Sequence, residues 1–135
     1  MCPISSMLDV LGDKWTLLII RDLMFKGKKT YGEFLRSEEK IATNILADRL
    51  LILEKNGIVV KAAFPGNKVK NLYRLTQKGI DLMPTLLEMV LWGDKYFDVP
   101  EPIHRAAGEI RKDKNRVVKE MMERLAAKDA EHATE

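Results

Sequence analysis

Residues 42–79 constrain the fold more than any other stretch of the chain. Within Ala42–Lys55 three leucines, Leu46, Leu50 and Leu53, recur at helical spacing and therefore lie on one face of a predicted helix. That face can pack on a core, which leaves a second face free to contact another molecule. The second face carries Thr43, Asn44, Ala47 and Asp48.

A short hairpin is predicted directly after this helix. Gly57 is expected to end the helix, because glycine adopts the left-handed C′ conformation without steric cost. Two β-branched or alternating runs follow, Ile58–Phe64 and Asn71–Thr76. Thr76 is a suitable N-cap for the apolar segment after the hairpin. The residues between the two runs favour a turn, and they are Pro65, Gly66 and Asn67.

Three helices are predicted upstream of the leucine-faced helix. They are Ser5–Leu11, Lys14–Phe25 and Tyr31–Ser37, and Asp13 is placed to cap the second. A short polar link joins the third to the leucine-faced helix, which makes a helix-turn-helix. The predicted fold is therefore mainly α with a small β-hairpin (α+β), a winged helix-turn-helix with extra C-terminal helices for dimerisation. The predicted core residues of the upstream helices are Trp15, Leu18, Ile19, Leu23, Phe34 and Leu35.

The chain after Thr76 carries more apolar surface than one small domain covers. Residues 80–96 are apolar on more than one face, and Pro84 is predicted to bend this helix near its first turn. A second segment, Ile103–Lys128, has a narrow apolar stripe and would be marginal as an isolated helix. Such surplus surface usually meets a partner, most often a second copy of the chain. The predicted dimer interface comprises Met7, Leu8, Leu11, Val90, Trp92, Tyr96, Ile110, Val117 and Met121.

We accordingly expect two parts in the chain. Residues 1–99 form a winged-helix DNA-binding part that includes the N-terminal helix and the dimerisation helix after the wing. Residues 100–135 form a C-terminal amphipathic helix and tail.

Positive charge is concentrated in one part of the sequence. Residues 26–78 hold 12 Lys or Arg against 5 Asp or Glu, a net charge of +7 over 53 residues. Residues 1–25 and 79–99 together carry −4, and residues 100–135 are balanced. This sorting is typical of a surface that faces phosphates. The candidate phosphate contacts are Lys28, Lys29, Arg49, Lys68 and Lys70, and Arg49 has the alternative of a local ion pair with Glu54.

Composition argues against several other classes of protein. A hydrophobic content of 46% is ordinary for one globular domain, and the longest apolar run, Trp15–Ile20, is far shorter than the ~20 residues of a membrane span. No secretory signal is visible, so a cytoplasmic location is expected. The single cysteine, Cys2, excludes an internal disulfide. No phosphate-binding loop and no metal-ligand spacing occurs, which predicts neither an enzyme nor a metal sensor and no cofactor.

Several short motifs occur in a specific order along the first 96 residues. They are Cys2-Pro3, Gly12-Asp13-Lys14-Trp15, Tyr31-Gly32-Glu33-Phe34, Ile41-Ala42-Thr43-Asn44-Ile45-Leu46-Ala47-Asp48-Arg49-Leu50, Gly57-Ile58-Val59, Tyr73-Arg74-Leu75-Thr76 and Trp92-Gly93. In this order and spacing they resemble the HxlR-type winged-helix transcription regulators of bacteria and archaea. The resemblance implies a prokaryotic homodimer that binds an inverted-repeat operator, more often as a repressor than as an activator. Leu51 and Ile52 depart from the pattern, since the family more often has basic or polar residues there.

The resemblance places the helix from Thr43 to Lys55 in the major groove of double-stranded DNA. An asparagine amide can pair bidentately with adenine and a threonine methyl can touch a thymine methyl, so Asn44 and Thr43 are candidate base readers, together with Ala47 and Asp48. Thr43 has the alternative role of capping the helix. A winged helix used only as a protein-interaction module is the alternative function, although it gives no reason for the concentrated positive charge.

Cys2 is a candidate sensor of oxidants or electrophiles. It lies at the predicted start of the first helix, where the amide dipoles favour a thiolate. In some members of the HxlR family the matching cysteine has this sensing role, which implies an oxidant or small-molecule effector. The alternative is a small structural residue near the dimer seam.

Overall fold

A computed structural model describes residues 1–64 and 66–133, with the backbone alone at 64, 67–69 and 129–133. In this part of the chain the structure contains helices and one two-stranded antiparallel sheet, and the chain forms two compact units, Met1–Gly79 and Ile80–Glu135. The elements are α1 (Pro3–Leu11), α2 (Lys14–Phe25), α3 (Tyr31–Leu35), α4 (Thr43–Lys55), β1 (Val59–Phe64), β2 (Asn67–Leu75), α5 (Gln77–Ile80), α6 (Met83–Tyr96), α7 (Glu101–Lys112) and α8 (Lys114–Ala133).

The core of the first unit is built from α2, α4 and the base of the hairpin. The prediction for α4 is confirmed, since Leu46, Leu50 and Leu53 are all buried. The prediction for α2 was wrong in part. Trp15 and Leu18 are only half-buried, whereas Ile20 and Met24 are in the core with the predicted Ile19 and Leu23. Helical spacing alone located the apolar side of α2 but not its centre, which depends on the elements packed against it.

Side-chain caps start the second and third helices. The Asp13 carboxylate accepts a hydrogen bond from the Thr16 amide at 3.1 Å, as predicted from the sequence. Thr30 and Glu33 form a capping box at the start of α3, in which each side chain bonds the backbone of the other residue. The sequence pattern Thr-x-x-Glu was a sufficient signal for this box.

Gly57 ends α4 in the predicted way. Its φ is +70°, and two hydrogen bonds close the helix end, from the Gly57 amide to the Glu54 carbonyl (3.0 Å) and from the Ile58 amide to the Leu53 carbonyl (2.9 Å). These bonds form a Schellman motif, in which the left-handed residue satisfies carbonyls that the helix leaves unpaired. The chain therefore turns directly from α4 into the hairpin.

The hairpin, which we call the wing, consists of β1 and β2. Val59 pairs with Leu75 at its base. β1 ends at Phe64 as predicted, but β2 begins at Asn67 rather than at the predicted Asn71, because it continues toward the turn and Asn67 pairs with Phe64. Of the predicted turn residues, Gly66 has a φ of +77° and Pro65 lies outside the described residues. At the base, the rings of Tyr73 and Phe34 meet edge to face with centroids 6.1 Å apart, which holds the wing on α3.

The prediction of one long helix after Thr76 was wrong, because the structure has two helices there, α5 and α6. Thr76 does cap α5, since its hydroxyl accepts from the Gly79 amide at 3.3 Å. α5 ends at Ile80, however, and Pro84 occupies the first turn of a new helix, α6. Proline is tolerated in a first turn because its missing amide has no helical partner there, so Pro84 starts a helix instead of bending one.

The predicted helix Ile103–Lys128 is likewise divided in two. Asp113 has a non-helical conformation (φ −156°, ψ 71°) between α7 and α8, and its carboxylate accepts from the Arg116 amide at 3.4 Å. In the second unit α6 and α7 are tied through Asp94, a buried carboxylate. Asp94 accepts hydrogen bonds from His104 and Arg111 at 2.8 Å each, and the bond to His104 is the main cause that lowers the Asp94 pKa.

The boundary between the two compact units falls after Gly79 in the sequence, whereas the functional division expected from the sequence falls after residue 99. That division concerns which helices serve DNA binding and which serve association, and it stays a prediction. Within the described residues, no helix has the length and apolar character needed to cross a membrane.

Candidate nucleic-acid interface

The outer face of α4, which we define by its exposed residues, is the centre of the candidate interface. The buried leucines pack one side of the helix on the core, and the exposed residues occupy the rest of its surface. All four predicted base readers lie on the outer face. Its members are Thr43, Asn44, Ala47, Asp48, Leu51 and Lys55, and each is exposed.

The start of α4 settles the role of Thr43 in the helix. Ala42 is the N-cap and provides no side-chain hydrogen bond, so the alternative that Thr43 caps the helix was wrong. Thr43 is instead the first helical residue. The Tyr31 hydroxyl donates to the Thr43 carbonyl at 2.5 Å, which fastens the beginning of α4 to α3.

Arg49 lies at the edge of the outer face and is held by two carboxylates. Its Nε donates to Asp13 Oδ2 at 2.9 Å, its Nη2 approaches Asp13 Oδ1 at 3.4 Å, and its Nη1 bonds Asp48. The alternative of a local ion pair between Arg49 and Glu54 was therefore wrong. The contact with Asp13 lowers the pKa of that carboxyl and raises the pKa of Arg49. With two carboxylates around one guanidinium, Arg49 is a poorer phosphate contact than its position in the sequence indicated.

Lys28 is also engaged within the protein. Its Nζ donates to the Ser37 hydroxyl at 2.6 Å and lies 3.8 Å from Asp22, a buried carboxylate. Ser37 is itself bonded to Asp22, and Arg21 joins the cluster through the same carboxylate. The structure therefore gives Lys28 a structural role in the helix-turn-helix, and the predicted phosphate contact is unfavourable because it would leave Asp22 without one of its counter-charges.

Lys29 lies in the same turn. Its carbonyl accepts from the Tyr73 amide at 2.7 Å, which joins the turn to β2, and its side chain is half-buried. Local sequence patterns did not connect Lys29 with the wing, because this hydrogen bond joins segments more than 40 residues apart.

The wing presents cations on both of its faces. Lys61 is opposite Tyr73 in the sheet, and Arg74 lies on the other face of β2, because side chains alternate along a strand. Lys70 lies closer to the turn, where the register of the two strands is irregular. Lys61 and Lys70 are both exposed and Arg74 is half-buried. The side chain of Lys68, the remaining predicted phosphate contact, lies outside the described residues.

Cys2 immediately precedes α1 and is exposed. On α1, Leu8 is 59% exposed and Met7 is half-buried, but Leu11 is buried and is a core residue rather than an interface residue. Ile4, which the sequence analysis did not select, is 72% exposed on the same helix.

The second unit exposes an aromatic patch. Trp92 and Tyr96 were predicted for the dimer interface and are 60% and 61% exposed, whereas Ile110 is buried and belongs to the core. The Trp92 ring lies 5.1 Å from Tyr96 and 5.6 Å from Phe97, between centroids. Phe97 and Met89 are exposed parts of the patch that the sequence analysis missed. Three other predicted residues are half-buried, namely Val90, Val117 and Met121.

A helix-turn-helix with a polar outer face on its second helix, followed by a basic two-stranded wing, defines a winged helix-turn-helix DNA-binding protein. The relatives compared with this chain are helix-turn-helix transcriptional regulators and not enzymes. The chain belongs to the HxlR-like helix-turn-helix family, whose sequence model matches residues 10–101. The match excludes Cys2 and nearly all of α7 and α8.

Known relatives agree with this assignment. The transcriptional regulator YodB of Bacillus subtilis is 39% identical over 97 residues, which cover 71% of this chain and 86% of YodB. The crystal structure of PA1607 superimposes with a TM-score of 0.66 at 42% identity, covering 74% of this chain and 68% of that one. The oxidised form of the redox regulator HypR superimposes with a TM-score of 0.64 at 36% identity, covering 73% and 100%.

Proposed function

We propose that the chain is a homodimeric, sequence-specific repressor that binds an inverted-repeat operator and is released by an oxidant or electrophile acting on Cys2. The observation that carries the DNA-reading part is the outer face of α4. Its polar residues are exposed in the first two turns of a helix whose other side is fully packed. DNA binding would take place in the cytoplasm.

Base reading is assigned to the first two turns of α4. The Asn44 amide offers a donor and an acceptor to adenine, the Thr43 methyl offers a contact to thymine, and one Asp48 oxygen remains for a cytosine amino group. Ala47 is small enough to let the helix approach the groove. The exposed wing lysines, Lys61 and Lys70, are assigned to phosphates in place of Lys28 and Arg49.

Dimerisation is supported by exposed apolar surface in both units. Ile4 and Leu8 project from α1, and Trp92, Tyr96 and Phe97 form the aromatic patch of the second unit. Large exposed apolar side chains that cluster in this way mark interaction surfaces more often than solvated ones. A two-fold dimer would place two copies of α4 at successive major-groove faces, ~34–36 Å apart.

An effector response through Cys2 is supported by the exposure of its thiol. Solved structures of YodB include reduced, diamide-treated and quinone-bound forms. In this chain a quinone would add to the Cys2 sulfur, forming one S–C bond with transfer of the thiol proton to the reduced ring. A two-electron oxidant such as diamide would instead take one hydrogen from each Cys2 of a dimer and leave an intermolecular disulfide.

The test of DNA reading starts with selection of duplexes from a random-sequence pool by the unaltered chain. Affinity is then measured by fluorescence anisotropy for a selected duplex and for a shuffled duplex of equal composition. Asn44→Ala is expected to lose ~1–3 kcal/mol of discrimination between the two duplexes. Asn115→Ala is the matched control, since Asn115 is the exposed second residue of α8 as Asn44 is of α4.

Two results would count against the proposal. If no duplex binds at low ionic strength, the interaction-module alternative is favoured instead. If Cys2→Ser is released from the selected duplex by diamide or a quinone as readily as the unaltered chain, Cys2 is not the sensor.

A further inference from the structure

The contact between Asp13 and Arg49 joins the start of α2 to the middle of α4. Arg49 belongs to α4, and its Nε and Nη2 meet the two oxygens of Asp13 at 2.9 and 3.4 Å. Asp13 is the N-cap of α2, and its Oδ2 also accepts from the Thr16 amide at 3.1 Å. Because the carboxylate is bonded to the α2 backbone, it is a fixed point against which Arg49 is held.

Arg49 is placed to control the rotation of α4 about its own axis. It is half-buried and lies between the packed side, with Leu50 as its neighbour, and the exposed outer face, with Asp48 as its neighbour. A helix has a radius of ~5–6 Å including side chains, so a rotation of ~10° moves a side-chain tip by ~1 Å. A shift of that size is enough to spoil a hydrogen bond whose useful range is 2.7–3.2 Å.

The packed leucines do not by themselves fix this angle. Leu46, Leu50 and Leu53 exclude water from the core, but hydrophobic contact is not directional. A two-point contact between a planar guanidinium and a carboxylate does have a preferred geometry. In the described residues this pair is a directional contact between the start of α2 and α4, and it acts together with the hydrogen bond from the Tyr31 hydroxyl to the Thr43 carbonyl.

We infer that Asp13 is a specificity-determining positioning residue: by clamping Arg49 side-on, it sets the angle at which Thr43 and Asn44 of α4 are presented to base edges. This inference rests on the proposed function, since it assigns to Asp13 the orientation of the same DNA-reading surface. Arg49 acts in this account through the angle of the helix and not as a phosphate contact.

The alternative account makes Asp13 a restraint on a hidden phosphate contact. Removal of Asp13 would then free Arg49 to meet the DNA backbone. The two accounts differ in what they change. A positioning residue alters discrimination between sequences, whereas a released phosphate contact raises affinity for every sequence and steepens the log–log salt slope by ~0.9 for each subunit, or ~1.8 for the dimer.

The experiment uses Asp13→Asn in the full chain, because asparagine caps a helix as well as aspartate does and has nearly the same volume. Arg49→Lys is the second variant, since lysine keeps the charge but cannot make the side-on two-point contact. Asp113→Asn is the matched control, because Asp113 also accepts from an amide in the first turn of a helix and pairs with an arginine, but within α8. Kd is measured for a duplex selected by the unaltered chain and for its shuffled counterpart.

Asp13→Asn and Arg49→Lys are each expected to lower about tenfold the ratio of the Kd for the shuffled duplex to the Kd for the selected duplex. A change of this size is within the range that one base contact contributes. The Kd for the shuffled duplex and its salt slope should not change, and Asp113→Asn should behave as the unaltered chain.

The inference is overturned if the ratio stays unchanged, if Asp113→Asn lowers it equally, or if Asp13→Asn tightens both duplexes with a steeper slope. If Asp13→Asn does not fold, Arg49→Lys decides by the same criteria. A failure of the unaltered chain to bind any duplex refutes the proposed function itself and is seen before the variants are compared.

Discussion

Gly79→Ala should destabilise the chain through one backbone collision. Gly79 lies in α5, and a Cβ built on it would stand 2.5 Å from the Ile58 carbonyl oxygen and 2.8 Å from Leu75 Cδ2. The Ile58 carbonyl cannot move away freely, because it accepts from the Thr76 amide at 3.0 Å and from the Thr76 hydroxyl at 3.2 Å. The collision therefore strains the junction where α4, the wing and α5 meet.

The size of the effect follows from three contributions. Forcing an extra methyl into a packed position costs about 1–3 kcal/mol. Weakening one hydrogen bond at the Ile58 carbonyl costs about 1 kcal/mol. Replacing a helical glycine by alanine returns at most about 1 kcal/mol. We expect a net loss of about 2 kcal/mol, which for a chain of this length lowers Tm by roughly 6–10 °C.

Urea and thermal unfolding followed by far-ultraviolet circular dichroism measure this loss. Gly108→Ala is the control, because a Cβ at Gly108 in α7 meets no atom within 4 Å. That variant should gain up to about 1 kcal/mol from helix propensity alone. A Gly79→Ala chain as stable as the unaltered one would show that the junction at Ile58 accommodates a side chain, and the reasoning from the close approach would be refuted.

Three further predictions concern the first unit. Gly57→Ala should cost about 1–2 kcal/mol in urea unfolding, because a Cβ there meets nothing within 4 Å and only the left-handed φ of +70° opposes it. Hydrogen bonds from Arg21 lower the Glu39 pKa from 4.5 to about 2, so the stability that this pair contributes is present above pH 4.5 and is lost as the pH falls toward 2; Glu39→Gln should weaken that pH dependence. The double variant Lys61→Ala, Lys70→Ala should reduce the log–log salt slope of DNA binding by ~1.8 for each bound subunit, or ~3.6 for the dimer.

Each of these has a result that contradicts it. If Gly57→Ala is as stable in urea as the unaltered chain, the result argues against a Schellman motif at the end of α4. A Glu39→Gln chain with the unaltered pH profile between 4.5 and 2 would remove the pair as a source of acid sensitivity. An unchanged salt slope would exclude Lys61 and Lys70 from the phosphate contacts. Lys112→Ala in the second unit serves as the control for loss of a surface lysine.

The outer face of α4 was predicted from local pattern, because the spacing of Leu46, Leu50 and Leu53 determines which residues of one helix share a side. The end of α4 at Gly57 and the caps at Asp13 and Thr76 were predicted for the same reason. Each depends on backbone geometry within a few residues, and each carries a residue type suited to that geometry.

Site residues whose roles depend on distant partners could not be assigned in this way. Arg49 was given Glu54 as a local partner, but it reaches Asp13, 36 positions earlier in the chain. Lys28 was assigned to phosphate from its exposed place in a turn, but packing brings Ser37 and Asp22 to it. Both contacts join residues of different elements, so the spacing of residues within one helix or strand could not predict them.

The breaks in the C-terminal half illustrate the same limit. Apolar spacing continued past Ile80 and past Asp113, and only the three-dimensional path of the chain showed that α5 is separate from α6 and that α7 is separate from α8. The sequence by itself determined the order of elements, the packed and polar sides of α4 and the excess of positive charge at 26–78, because these are local or additive properties. Tertiary structure alone decided which cations face solvent and at what angle α4 is held, because a charge is masked or left available by partners that only folding brings within a few ångströms.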